Sequence, residues 1–425
     1  MSGSADGPGR PGAGERQLRS APAHWRSRRV RSDLSQLVCA LVGLVLGLLV
    51  PMISAGPRVE AGRVATMLFT IGFGVISLVS IIYSMLFLVV QFSASTFTPR
   101  LGLFRDEPIV WRAFAFTVGV FVFSITAGLV IGAREDVSVL VPCVAMVFTL
   151  VALALMRTLQ TKAFVSIQLA HSLTAIAARA HRLFDVLYVG PYDSRRPYDP
   201  AEEAGPPLPA VGAAATTVRW SGPAAVVQQI DVAGLVRMAR GHDCAIAFRI
   251  APGRTVSQGT PLAEVTGGEL PAVMVRAALA TGVERTFYQD PLLPFRLLAD
   301  IALRALSPAV NDPATAVESL DRLEELLVRL VDRELAIGHF SDEAGRLRVS
   351  VPVPGWEVFV RTAVDELFFA AARSPMALSA LRDVLARLLE RCPEERRAVV
   401  RERLGWVERT GGDSYPLIWA PFDGG

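Results

Sequence analysis

Four long apolar runs fill the first 160 residues, and they constrain this chain more than any other feature. They cover about Leu34–Ser54, Val64–Val90, Val110–Ala133 and Ser138–Leu159. Each supplies the ~20 residues that a helix rising 1.5 Å per residue needs to cross ~30 Å of hydrocarbon. None carries a charge near its centre. Arg112 and Arg157 stand at run ends, where a long stem reaches the interface. A soluble core seldom offers four such runs in succession, so the pattern predicts a four-helix transmembrane domain over residues 34–160. The mean hydropathy of +0.40 averages this half with an ordinary polar one.

Arginine placement gives the orientation. The tail before residue 33 carries Arg10, Arg16, Arg19, Arg26, Arg28, Arg29 and Arg31 against Asp6 and Glu15. The short connections nearly tie, with Arg58 and Arg63, then Arg100 and Arg105, then Arg134. The tail therefore decides. It reads as a disordered basic segment, residues 1–33, held on the cytosolic side of a bacterial inner membrane. An even number of spans puts both termini and the polar half there too. The first apolar run is too long for a signal peptide and further runs follow it. The net charge of +3 leaves no global footprint for nucleic acid. Cys39, Cys143, Cys244 and Cys392 show no metal-like spacing and read as reduced core residues.

Small residues stripe the spans. Gly43 with Gly47 and Gly128 with Gly132 form GxxxG pairs, while Gly74, Ser77 and Ser84 share one face of the second span. Close helix packing accounts for such stripes. The alternative for Gly74, Ser77 and Ser84 is the lining of a polar path, which usually brings an intramembrane charge and has none here. Between spans two and three, QFSASTFTPRLGLFRDEP (91–108) mixes aromatic and charged residues and suits an interfacial segment.

No Gly or Pro occurs from Val144 to Val189. Span four is thus expected to continue into the cytosol as a stalk over residues 161–189, making one helix of about 45 residues, ~68 Å long. Leu169, Leu173, Ile176, Ala180, Leu183 and Leu187 give it an apolar stripe that must be covered, by its own domain or by a second copy. His171 and His181 lie about three turns apart, too far to share a metal. A Pro- and Gly-rich linker follows, residues 190–215.

The remaining chain is expected to be α+β: a small α/β element over 216–270 and a helical cytosolic domain over 271–425. Asp231 is placed to cap a helix after a strand at Ala224–Ile230. APGRTVSQGTPLAEV (251–265) is similar to biotinyl and lipoyl carrier domains. Those carriers need an acceptor lysine, and the chain's only lysine is Lys162 beside the membrane. A swinging arm is excluded and a small β-fold kept. The densest polar stretch runs from Glu284 to Asp321. Asp300 and Arg304 stand at i and i+4 and can pair. Asn311 or Asp312 caps a helix that opens on Pro313. Arg285, Gln289, Asp290, Arg296, Asp300, Arg304, Ser307, Asn311 and Asp312 form a candidate pocket for a small ligand or ion, set against this structural account. Amphipathic helices complete the chain at 356–372, 377–391 and 394–408.

The string ERTFYQDPLLPFRLLADIALRALSPAVNDPATAVESLDRL (284–323), with the four spans and QFSASTFTPRLGLFRD, resembles the bacterial membrane-protein family known as domain of unknown function 2254. Asp300, Ser307, Asn311 and Asp312 match its pattern. Leu293-Pro294-Phe295 and Ala309-Val310 depart from it. The resemblance implies an architecture and a membrane location, without a mechanism. HExxH, GxxxxGK[ST], GxGxxG after a strand and a nucleophile elbow are all missing, and no histidine lies in the polar stretch. No catalytic residue, metal or cofactor is therefore expected. The expected role is an oligomeric protein of the bilayer whose cytosolic domain senses a ligand or the membrane state and gates a conduction path. The alternative is a membrane-anchored scaffold or regulator. The expected partners are lipid, further copies of the chain, and a small ligand or ion that the sequence does not specify.

Overall fold

The structure, a computed structural model, describes residues 26–96, 108–167, 169–193 and 215–419. The tail before Arg26, the middle of the expected interfacial segment and most of the expected linker lie outside the described residues. The chain divides into two compact units, one of residues 24–172 and one formed mainly by residues 173–425.

The first unit contains helices α1 (Arg26–Leu49), α2 (Ala61–Thr96), α3 (Pro108–Ile131) and α4 (Leu140–Ile167). They carry stretches long and apolar enough to span a bilayer, at Ser35–Met52, which runs three residues past the end of α1, and at Ala61–Ile81, Arg112–Ile131 and Leu140–Lys162. Strands β1 (Arg58–Glu60) and β2 (Asp136–Ser138) pair antiparallel, which ties the first connection to the third. Arg134 donates to the Pro51 carbonyl at 2.6 Å and Ser138 donates to the Ala55 carbonyl, reinforcing that tie. Two connections sharing one end is what alternate crossings require.

Glycine sets how close the helices come. A Cβ added to Gly43 would lie 2.3 Å from the Gly119 carbonyl oxygen, so α1 and α3 cross backbone against backbone. Gly47 and Gly128 likewise face Thr126 and the Phe69 ring. The face of α2 bearing Gly74, Ser77 and Ser84 behaves differently. It is exposed, and nothing approaches Gly74 within 4 Å of its ideal Cβ. Ser77 and Ser84 donate one turn back, to Phe73 and Ser80 carbonyls. Among the described residues, this face packs on no other helix of the same unit. Cys143 also points outward, against the expectation of a core residue, while Cys244 and Cys392 are buried as expected.

The second unit begins within α5 (Leu169–Leu187), which a single residue, Gln168, separates in sequence from α4. It continues with β3 (Thr216–Arg219), β4 (Ala225–Ile230), α6 (Val232–Gly241), β5 (Cys244–Phe248), β6 (Thr255–Val256), β7 (Pro261–Gly267), α7 (Ala272–Ala277) and β8 (Leu279–Gly282). Asp231 caps α6 as expected, accepting from Gly234 N–H at 2.9 Å. Next come α8 (Leu293–Ala305), α9 (Pro313–Val331), β9 (His339–Ser341), β10 (Leu347–Ser350), α10 (Trp356–Ala371), α11 (Pro375–Arg391) and α12 (Glu394–Ser414). One sheet has the order β3-β7-β5-β10-β9 and the other β6-β4-β8. The strands expected within 216–270 are thus joined by β8, β9 and β10 from beyond it, with β10 parallel to β5. Both sheets enclose one core that includes Val227, Ile246, Val265, Phe340 and Val349.

The stripe on α5 is covered by its own chain. Leu173, Ile176, Ala180, Leu183 and Leu187 are buried. Phe184 stacks on Phe295 of α8 at 6.0 Å, and Tyr188 meets Phe359 of α10 edge-on at 6.1 Å. Polar contacts flank the seam. His181 Nε2 lies 2.6 Å from Glu325 Oε1, Asp185 pairs with Arg329, and Arg333 donates to the Tyr188 carbonyl at 3.1 Å.

Candidate functional site

The nine polar residues expected to form a pocket are used in three separate places. The first group closes the end of β4. Gln289 is buried, and its Oε1 accepts from Ile230 N–H at 2.8 Å while its Nε2 donates to the Ile230 carbonyl at 3.2 Å. A side-chain amide here does the work of a strand neighbour, satisfying a donor and an acceptor that burial would leave costly. Next to it, Asp290 is 2% exposed and accepts twice from Arg285, at 2.6 Å from Nε and 2.8 Å from Nη2. This fork geometry occupies both carboxylate oxygens. The Pro252-Gly253 turn runs over that carboxylate. Gly253 has φ +89, and a Cβ there would lie 2.2 Å from Asp290 Oδ2. Only glycine meets both demands.

In the second group, Arg296 joins α8 to α10. It reaches Asp300 at 2.8 Å and Glu366 at 2.6 Å. Its hydrogen bond to Glu366 holds the Arg296 guanidinium more firmly charged than usual, and Arg296 in turn lowers the Glu366 pKa. Asp300 thus pairs with Arg296, one turn before it.

The third group is the turn from α8 to α9. The Arg304 carbonyl accepts the Ser307 hydroxyl at 2.6 Å, and the Ser307 carbonyl accepts Asn311 N–H at 2.8 Å. Asn311 takes the left-handed conformation, φ +49, which asparagine tolerates better than most residues. Asp312 is the cap of α9: it accepts Thr315 N–H at 3.2 Å and the Thr315 hydroxyl at 2.6 Å. Those bonds lower its pKa. The two adjacent residues, alternatives for one cap in the sequence, divide the turn between them.

The first of the three groups borders a cavity. Gln289 and Asp290 line a space of about 60 Å³, with Leu187 and Tyr188 of α5, Ile230 of β4 and Phe340 of β9. Sequence reasoning missed most of this wall, because its parts come from four distant stretches. It also missed a buried Arg348, which donates to Asp342, to Asp243 and to the Cys244 carbonyl at 2.8, 3.0 and 3.1 Å. That cluster pins the β9–β10 hairpin to the start of β5. Arg396 is buried as well, donating to the Leu330 and Val331 carbonyls at the end of α9. Charged residues in an amphipathic helix give no sign that they will be buried. Among the described residues, no group of three or more His, Cys, Asp or Glu is placed to hold a metal.

Four long apolar helices followed by a mixed, mostly helical unit define a multi-pass helical membrane protein with an appended domain. Residues 34–387 match the family described as "Predicted membrane protein (DUF2254)", and the chain belongs to that family. It is 29% identical over 367 residues to the uncharacterized protein Rv1290c of Mycobacterium tuberculosis and, equally, to the uncharacterized protein Mb1321c of Mycobacterium bovis. Each match covers 81% of this chain and 66% of the relative. No solved structure matches.

Proposed function

We propose that this chain is an oligomeric inner-membrane protein, both termini cytosolic, whose second unit senses a small ligand and moves the spans through α5. One observation supports this above the others. The apolar face of α5 is buried in the second unit, yet only Gln168 separates α5 in sequence from α4, the helix that carries the last span. Any rearrangement of that unit which shifts α5 pulls directly on α4. The open Gly74, Ser77 and Ser84 face of α2 is the candidate lining of a gated path between copies, since a hydroxyl-bearing face without charge suits a water-lined or gated pore.

The test is flux through liposomes holding the full-length protein. Gly-Gly inserted beside Gln168 leaves the docked part of α5 intact and should abolish regulation of flux while both units stay folded. Unaltered flux in the insertion variant would remove the coupling reading. Ser77→Trp and Ser84→Trp should block flux, and flux that survives both would remove the path. A membrane-anchored scaffold without catalysis is the second reading. It is favoured by one observation: Arg285, Asp290, Arg296, Asp300 and Asp312 are all engaged with other protein groups. Absence of flux under every condition would leave the scaffold standing.

A further inference from the structure

We infer that the cavity at the end of α5 is a binding site for the end of a hydrocarbon chain, and not for an ionic or hydrogen-bonding ligand. Its chemistry follows from what its polar groups already do. Gln289 spends its amide on Ile230, and Asp290 gives both oxygens to Arg285. Neither offers a free charge to an occupant.

Apart from the Tyr188 side chain, the rest of the wall supplies almost nothing polar. Pro252, Pro291, Pro352 and Pro354 line it, and proline has no N–H. Val351, between the sheet and two of those prolines, already donates its N–H to the Gly338 carbonyl at 2.8 Å. Ile230, Val232, Leu292, Ile337 and Phe340 contribute hydrocarbon. Proline rings also fix the backbone torsions around the space, so the wall resists collapse. A Cβ on Gly338 would lie 2.2 Å from the Val351 carbonyl oxygen, so this side has no slack either.

Size limits the occupant. About 60 Å³ corresponds to roughly four to six water molecules at ~10–15 Å³ each, and water there would find few partners. Apolar cavities accept apolar molecules. The space is partly open to the surface, so a few terminal carbons of a longer chain can enter while its head stays outside. Leu187 and Tyr188 place the occupant against the end of α5. Its consequence for regulation rests on the sensing reading above; its chemistry does not.

The experiment uses the full-length protein in dioleoylphosphatidylcholine nanodiscs with labelled isoleucine methyls. Xenon should shift the methyls of Ile230 and Ile337 saturably, while glycerol leaves them unmoved. Val232→Phe and Ile337→Phe should fill the space and weaken the response of the remaining methyl roughly ten-fold, with thermal stability kept. A dodecanoic acid carrying a terminal diazirine, free in one arm and esterified in phosphatidylcholine in the other, should crosslink to the cavity wall in at least one arm. The arm that labels tells a soluble amphiphile from membrane lipid. Silent Ile230 and Ile337 methyls, a larger response to glycerol than to xenon, or no wall crosslink in either arm would overturn the site. Should both filling variants unfold, the xenon response and the crosslinks of the native chain decide alone. Xenon saturation with no change in flux would keep the site and remove the sensing reading. Silent methyls beside a Gln168 insertion that alters flux would do the reverse.

Discussion

At the scale of single residues, the family-pattern stretch 284–321 supports the fold before it supports anything else. Gln289→Ala should leave the Ile230 N–H and carbonyl buried without partners and destabilise the second unit by about 1–3 kcal/mol in chemical denaturation. A pair of glycines separates strain from crowding. Gly253 and Gly259 both have φ near +90, but only Gly253 faces a side chain, the Asp290 carboxylate. Gly259→Ala should cost about 1 kcal/mol for its backbone alone, and Gly253→Ala clearly more. Equal losses would mean that the turn does not rest on Asp290. Acid sensitivity follows from the carboxylates. Glu366 and Asp312 sit below their ordinary values through the hydrogen bonds of Arg296 and Thr315. Burial works to raise Glu325, but hydrogen bonds from His181 and Arg322 win and lower it. Each depressed carboxyl stabilises the folded state fully above its unfolded value and loses that contribution as pH falls through its folded one. Asp321, raised by burial, offsets part of this. Thermal stability should therefore change little between pH 6 and 8 and decline below about pH 4.

At the scale of elements, two helices carry the clearest expectations. The crossing of α1 and α3 leaves no room at Gly43 or Gly119, where an added Cβ would lie 2.3 Å or 2.9 Å from a carbonyl oxygen of the other helix. Gly43→Leu and Gly119→Leu should each separate the pair and reduce folded yield in the membrane, whereas Gly74→Leu on the open face should not. For α5 the comparison is between two truncations. A chain starting at Leu173 keeps the aromatic seam of Phe184, Tyr188, Phe295 and Phe359 and should be soluble and fold cooperatively. A chain starting at Gly190 uncovers Phe295 and Phe359, which are fully buried in the native unit, and should aggregate. Soluble, cooperative folding of the shorter chain would show that α5 does not belong to the second unit's core. Caps and breaks were legible here from neighbouring residues alone. Asp231, Pro313 and the stop at Cys392-Pro393 act within one turn of themselves.

At the scale of the whole molecule, one residue of sequence, Gln168, lies between the helix of the last span and α5, and an insertion there tests whether that connection transmits anything. Sequence by itself determined the spans, the α+β character of the remainder, the helix caps and the amphipathic stripe on α5. These depend on hydropathy and on contacts three or four residues apart, which the chain carries wherever it goes. Tertiary structure decided everything that joins distant stretches. It covered α5 with α8 and α10, set β10 beside β5 across about a hundred residues, turned the Gly74, Ser77 and Ser84 face away from its own bundle, and split nine candidate ligands into three structural groups. It also built the cavity from residues 187–188, 230–252, 289–292 and 337–354. Such pairings are selected by shape and burial among many segments of similar pattern, so no local property of any one segment announces its partner.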